Sequence, residues 1–255
     1  MSKDLVLEYF EDKAKSGEWD SLYNPGNPMS YSFIVRLKKA LDLLEDIEGK
    51  TVCDMGCGTG ILIPFILERK GFYLGIDNSD SMLEQIKQTY KNDYRENKFS
   101  LIKSDFENID LATGFDTAIG LGFIEYFENP AEVIEKIFNL LPISGQIVLS
   151  FPNFLSLDYF SVRIFFPIRY FARKVTGKST PQPPRKLWTI TKAKRMMIAS
   201  GFRDIRVSNY NINFFFYPFS RFFPRFCNFI SNNLEYSPIA NLSFFSTGFI
   251  ITAHK

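Results

Sequence analysis

The chain reads as one α/β unit built on a mainly parallel, seven-stranded sheet with helices on both faces. Three observations predict this. Seven short apolar runs, near 51–55, 72–76, 99–103, 115–120, 145–150, 203–209 and 245–253, have the length and composition of strands. Helical periodicity at 33–46, 61–69, 80–92, 130–140 and 191–200 alternates with them, which implies parallel strands joined by crossover helices. Between the last two strands there is no helix pattern, so the final strand is expected to run antiparallel to its neighbours. At 255 residues the chain can bury one full core without needing a second.

Residues 1–48 precede the first strand and are expected to form a helical cap, with 49–255 as the main domain. The first strand runs into a turn, Thr51-Val52-Cys53-Asp54-Met55-Gly56-Cys57-Gly58-Thr59-Gly60-Ile61-Leu62-Ile63. Glycines spaced two apart let the backbone turn sharply and approach a ligand, and the following helix aims free N–H groups at it. A dinucleotide site reads GxGxxG and seats a pyrophosphate there, which an added carboxylate would repel. Here the spacing is GxGxG with Asp54 in front, which suits a cationic ligand with an amino-acid tail.

The second strand, Phe72–Asp77, ends in an acid some twenty residues after the first glycine, where a carboxylate meets ribose hydroxyls in α/β sheets. Asp77 equally stands ahead of a capped helix start at Ser79. The third strand, Ser100–Lys103, runs into Ser104, Asp105 and Phe106, which also fit a surface turn. A fourth strand follows Gly114-Phe115-Asp116 and leads to Gly120-Leu121-Gly122-Phe123-Ile124-Glu125-Tyr126-Phe127. In a doubly wound sheet these turns converge on one crevice, outside the carboxyl ends of the strands where strand order switches.

These four stretches resemble the class I S-adenosylmethionine-dependent methyltransferases, well over residues 50–151 and more loosely over 187–209. The resemblance implies a Rossmann-like fold and S-adenosylmethionine as cofactor. Asp54, Gly56, Cys57, Gly58 and Gly60 would surround its methionine part. Asp77 would meet the ribose, and Asn78 and Met82 would also contact the cofactor. Ser104, Asp105 and Phe106 would meet the adenine, Asp105 accepting from its amino group, and Leu121 would line the loop where the sulfonium meets the acceptor. The pattern Tyr9-Phe10, Trp19, Tyr23, Tyr31 and Arg36 is similar to the N-terminal segment of enzymes acting on ubiquinone and magnesium-porphyrin precursors. There Arg36 would meet the cofactor carboxylate and Tyr31 line the pocket, or both merely cover the sheet. Many relatives have Glu-His where this chain has Glu125-Tyr126, and the one histidine, His254, is the penultimate residue. Tyr126 and Glu125 therefore stand as catalytic candidates, against packing or helix capping.

Composition narrows the rest. The charged start, Met1 to Asp12, carries no signal-peptide core, and no run reads as a membrane span. Three cysteines do not make a disulfide framework, and Cys53 and Cys57 do not share a helical face, so no metal is expected and the compartment reads as reducing cytoplasm. Between Pro152 and Phe226 there are fourteen Lys or Arg against Asp158 and Asp204, a segment charge of +12 in a chain of net +2. From Phe151 on lie eighteen of the twenty-eight phenylalanines, concentrated in insertions at about 152–186 and 212–243. Three uses compete for this basic, aromatic surface: a lid over a small amphipathic acceptor, a peripheral face at the inner membrane surface, or nucleic-acid binding. Nucleic acid is disfavoured, because the fourth-strand loop lacks the Asn-Pro-Pro-aromatic turn of base-methylating relatives. The leading reading is methyl transfer to a small amphipathic or lipid-like acceptor, at oxygen. The alternative is a non-catalytic subunit of the same fold that scaffolds a partner or membrane.

Overall fold

The computed structural model describes residues 3–111, 114–164, 183–215 and 219–255. Its strands are β1 (Thr51–Met55), β2 (Phe72–Asp77), β3 (Phe99–Lys103), β4 (Thr117–Gly120), β5 (Gln146–Pro152), β6 (Arg203–Ile212) and β7 (Ser246–His254). They form one sheet in the order β3-β2-β1-β4-β5-β7-β6. Pairings from β3 through β5 are parallel, and β7 runs antiparallel to both β5 and β6. The strand order switches between β1 and β4, which fixes where a ligand crevice opens.

The central strands β1, β4 and β5 are buried on both faces, and their side chains sort by the period of two. In β5, Ile147, Leu149 and Phe151 enter one apolar cluster and Val148 the other. Helices follow in chain order as α1 (Lys3–Lys15), α2 (Glu18–Ser21), α3 (Tyr31–Leu43), α4 (Ile63–Glu68), α5 (Asp80–Thr89), α6 (Lys91–Arg95), α7 (Pro130–Leu140), α8 (Leu157–Ile164), α9 (Ile190–Ala199), α10 (Phe219–Phe222) and α11 (Pro224–Leu234). On one face, α7 gives Val133, Ile134 and Ile137 and α9 gives Ala193 and Met197 to the first cluster. On the other, α3 gives Val35, Leu37 and Leu41 and α4 gives Ile63 and Ile66 to the second. Each such aliphatic side chain, fully buried, contributes about 1.5–3 kcal/mol of transfer free energy. Local signals set the starts: Ser79 accepts from Met82 N at 3.1 Å and Thr189 from Lys192 N at 3.2 Å, while Pro130 and Pro224 open α7 and α11.

One expectation is corrected. The connection between β6 and β7 is not free of helix, because α10 and α11 lie in it. Helix α11 is turned inside out: Cys227 and Ser231, one turn apart, face the protein, while Phe226 and Phe229 face outward. The apolar stripe that announces a core-facing helix is therefore on the wrong side. Part of the first insertion, residues 165–182, lies outside the described residues.

Candidate cofactor site

A cavity of about 160 Å³ opens at the carboxyl ends of β1, β2, β3 and β4. The β1 turn contributes Gly56 and Gly58, the β2 turn Asp77, Asn78 and Met82, the β3 turn Ser104, Asp105 and Phe106, and the β4 loop Leu121, Gly122 and Tyr126. These are the convergent turns expected from the sequence, brought to one place by parallel register.

The glycine turn is held against β2. Gly56 N and Cys57 N both donate to Ile76 O, at 2.8 and 3.1 Å, and Gly58 N donates to Asp77 Oδ2 at 2.8 Å. At Gly58 φ is +52°, which strains any residue with a side chain, and a Cβ there would press on Trp19 Nε1 at 3.2 Å. Asp77 Oδ1 accepts from Ser79 N at 2.9 Å. Burial raises the pKa of Asp77, against the hydrogen bonds from Ser79, Gly58 and Asn78 that favour its ionised form. A half-buried carboxylate fixed on both oxygens at a cavity wall is a rigid acceptor.

Six expected residues fall outside the walls of the cavity. Asp54 alternates away from Cys53 and Met55, into the cluster that holds Val52, and accepts from Tyr73 Oη at 2.8 Å beneath the glycine turn. Burial lifts its pKa to about 7, the Tyr73 hydrogen bond opposing and the Asp77 charge adding. Cys57 is buried in that cluster, packed so that a Cβ on Gly75 would lie 3.0 Å from its Sγ. Gly60 is a packing position: a Cβ would meet Ile63 Cδ1 at 2.7 Å. Tyr31 packs against the second cluster, its hydroxyl without a hydrogen-bond partner. Glu125 is buried with Oε2 unpartnered, and burial raises its pKa while Arg36 and Arg185 oppose.

Arg36 sits directly behind the wall. At Gly122, where φ is +77°, a Cβ would approach Arg36 Nη1 to 2.9 Å, so the missing side chain lets the guanidinium reach the edge of the cavity. Arg36 Nη2 donates to Tyr23 Oη at 3.4 Å, and its buried Nε has no partner. Burial disfavours its charge, but Tyr23, Tyr210 and Glu125 hold it protonated.

The cover comes from the N-terminal helices. Lys3, Val6, Leu7 and Phe10 of α1 and Trp19 of α2 line the cavity. Phe10 meets Trp19 and Tyr126 edge-on at 5.2 and 5.4 Å, and Trp19 meets Phe33 at 5.9 Å. Lys3 Nζ pairs with Asp105 at 2.7 Å and also with Glu107. Glu11 accepts from Ser79 Oγ at 2.7 Å and from Ser81; burial opposes its charge, yet these bonds hold its pKa down at about 2. The cap and Phe10 were singled out in the sequence, but Lys3, Val6 and Leu7 were missed, although with Phe10 they have the i, i+3, i+4, i+7 spacing of one helical face. No described residue after Phe127 lines the cavity.

The family model described as a methyltransferase domain matches residues 46–174, half of the chain. The chain belongs to this methyltransferase family. The fold of the methyltransferase agrees over its whole length with a magnesium protoporphyrin IX methyltransferase from Synechocystis PCC 6803 solved with bound SAH, at TM-score 0.67, 16% identity and complete coverage of both chains. Among curated relatives, a ubiquinone biosynthesis O-methyltransferase of Pseudomonas paraeruginosa is 30% identical over 44% of this chain and 49% of its own length. A tRNA U34 carboxymethyltransferase of Proteus mirabilis is 25% identical over 68% of this chain and 51% of its own. The methyltransferase thus spans about half the length of the curated relatives it matches.

Proposed function

We propose that this methyltransferase binds S-adenosylmethionine in the cavity under α1 and α2 and directs methyl transfer to the oxygen of a small amphipathic acceptor. The observation that carries the reading is the junction of the glycine turn with Asp77: a backbone cradle without Cβ atoms at Gly56 and Gly58, facing a carboxylate anchored on both oxygens. The residues fit the cofactor part by part. Asp77 meets ribose hydroxyls, Asp105 and Phe106 the adenine, and Arg36, through the gap at Gly122, offers Nη1 to a carboxylate. When bound, the cofactor supplies an electrophilic methyl group on a sulfonium.

The protein's part is positioning and exclusion of water. Phe10 and Trp19 cover part of the cavity. Tyr126 lines it, and burial raises the pKa of its phenol, so at neutral pH it orients an acceptor hydroxyl as a neutral donor and acceptor. Histidine plays no role in this reading: His254 lies at the opposite end of the sheet, paired in register with Gln146 and 3.1 Å from Glu45. Three free cysteines fit a reducing, cytoplasmic setting, and no helix among the described residues is long and apolar enough to cross a membrane.

Calorimetry with S-adenosylmethionine and its demethylated product tests the site. Binding is expected, and Asp77→Ala should weaken it by about 1.5–3 kcal/mol through loss of charge-assisted hydrogen bonds. No binding by folded wild-type protein would favour the non-catalytic alternative. Mass spectrometry of a metabolite and lipid extract incubated with labelled cofactor identifies the acceptor. A labelled RNA fraction would favour a second reading, which rests on the tRNA carboxymethyltransferase relatives.

A further inference from the structure

The end of the sheet that holds the cavity also carries an apolar face that the cofactor site does not use. Helix α11 and α10 lie between the carboxyl end of β6 and the start of β7, and α8 follows the carboxyl end of β5. Because β5 and β6 both run antiparallel to β7, these segments emerge at the same end of the sheet as the glycine turn. Phe222, Phe223, Phe226 and Phe229 are 51–73% exposed, in a molecule whose other large side chains mostly found the core.

The face is continuous. Phe215 contacts Phe219 and Phe226, at 5.3 and 5.5 Å, and Phe219 contacts Phe223 at 4.9 Å. Next to Phe215 in sequence, Phe214 stacks on Phe245 at 4.1 Å, beside the exposed Phe244. The turn Ser243–Phe245 packs on α8, which presents Phe160 and Ile164 to solvent. Its exposed charges are cations. Arg163 and Arg225 are exposed on it, whereas Glu235 is withdrawn, buried and accepting from Asn211 N and Ile212 N at 2.9 and 3.0 Å, and Asp158 is half-buried.

We infer that this face docks on an anionic lipid bilayer, with the phenylalanines of α10 and α11 entering the headgroup–acyl boundary and the arginines resting on acidic headgroups. The combination is that of an interfacial helix: bulky apolar side chains outward, cations at their edge, small residues Cys227 and Ser231 against the protein. An RNA surface would call for cations in excess of rings, and here exposed rings outnumber exposed cations on α10 and α11. The docking rests on the proposed function for its purpose: it holds the mouth of the cavity over the layer in which an amphipathic acceptor dissolves.

Vesicle flotation tests it without cofactor or acceptor, so its failure is separate from any failure of the methyl-transfer reading. The full chain should float with phosphatidylcholine vesicles that contain phosphatidylglycerol, and less with pure phosphatidylcholine or at high salt, where surface attraction is screened within a few ångströms. Phe226→Ser with Phe229→Ser should lower the bound fraction at least tenfold and leave calorimetric cofactor affinity unchanged. Arg225→Glu, fully on the surface, should lower it several-fold and guards against misfolding of the double variant. The inference is overturned if the wild type does not float, or if both variants float like it. It is equally overturned if sedimentation gives a dimer that the double variant converts to monomer without lipid, or if the variants lose binding to tRNA but not to vesicles.

Discussion

Replacing Asp54 by Asn should make this protein more stable, and increasingly so as pH rises. Asp54 is buried beneath the glycine turn with one hydrogen bond, from Tyr73 Oη at 2.8 Å. An Asn carbonyl at the same place accepts that bond while removing the buried charge. Burial lifts the Asp54 pKa from its ordinary 3.8 to about 7, and at 1.36 kcal/mol per pKa unit this corresponds to about 4 kcal/mol. The sign follows from the direction of the shift. The folded state binds the Asp54 proton more tightly than the unfolded chain, so the contribution to stability is complete below 3.8 and is lost as pH rises through about 7. Urea unfolding followed by circular dichroism should give Asp54→Asn a gain of about 2–4 kcal/mol at pH 8 and less than about 1 kcal/mol at pH 4. A gain equal at both pH values, or a variant weaker than wild type at pH 8, would refute the reasoning. The variant should also bind a cationic cofactor less well, because such a ligand favours the ionised carboxylate.

Two further outcomes follow from the site. Gly58→Val should reduce cofactor affinity at least about a hundredfold with the fold retained, since valine resists a φ of +52° and its side chain would press on Trp19; isothermal calorimetry beside circular dichroism reads both. Tyr126→Phe should slow turnover by about 10- to 100-fold if its hydroxyl orients the acceptor, whereas His254→Ala, at the far end of the sheet, should change the rate by less than about twofold. A large loss in the histidine variant, with unchanged melting temperature, would place the chemistry at the wrong end of the sheet.

The strands and the helices between them were legible because they obey simple periodicity: buried strands such as β5 are unbroken apolar runs, and α7 shows its apolar stripe to the core. The turns were legible because glycine spacing and strand-end acids are constrained by ligand approach, and Gly56, Gly58, Asp77 and Asp105 meet in one cavity. Asp54 lies beneath the glycine turn and not on the cavity wall, because its strand position, one residue off Met55, decides which face the carboxylate takes, and a strand buried on both faces does not announce which. Helix α11 has a helical apolar stripe that was not read, and what its sequence does not signal is that Phe226 and Phe229 face outward. Arg36 depends on a glycine eighty-six positions away, at Gly122, for its access to the cavity, and nothing in the local sequence of α3 signals that gap.

The way α1 is fastened sets how the pocket exchanges its contents. At its start, Lys3 is half exposed and paired with carboxylates that water also reaches, an ion pair of about 0–1 kcal/mol that added salt weakens. One helix length further on, Glu11 caps the start of α5 through Ser79 and Ser81 and stays ionised into the acid range. The helix is therefore expected to release from its amino end first, a loose buckle ahead of a firm hinge, and amide hydrogen exchange along α1 would show faster exchange there. An affinity tag fused ahead of Met1 would sit on the buckle, so purified protein with the tag at the other terminus is the better material for exchange kinetics, and a tagged sample would report the latch as much as the ligand.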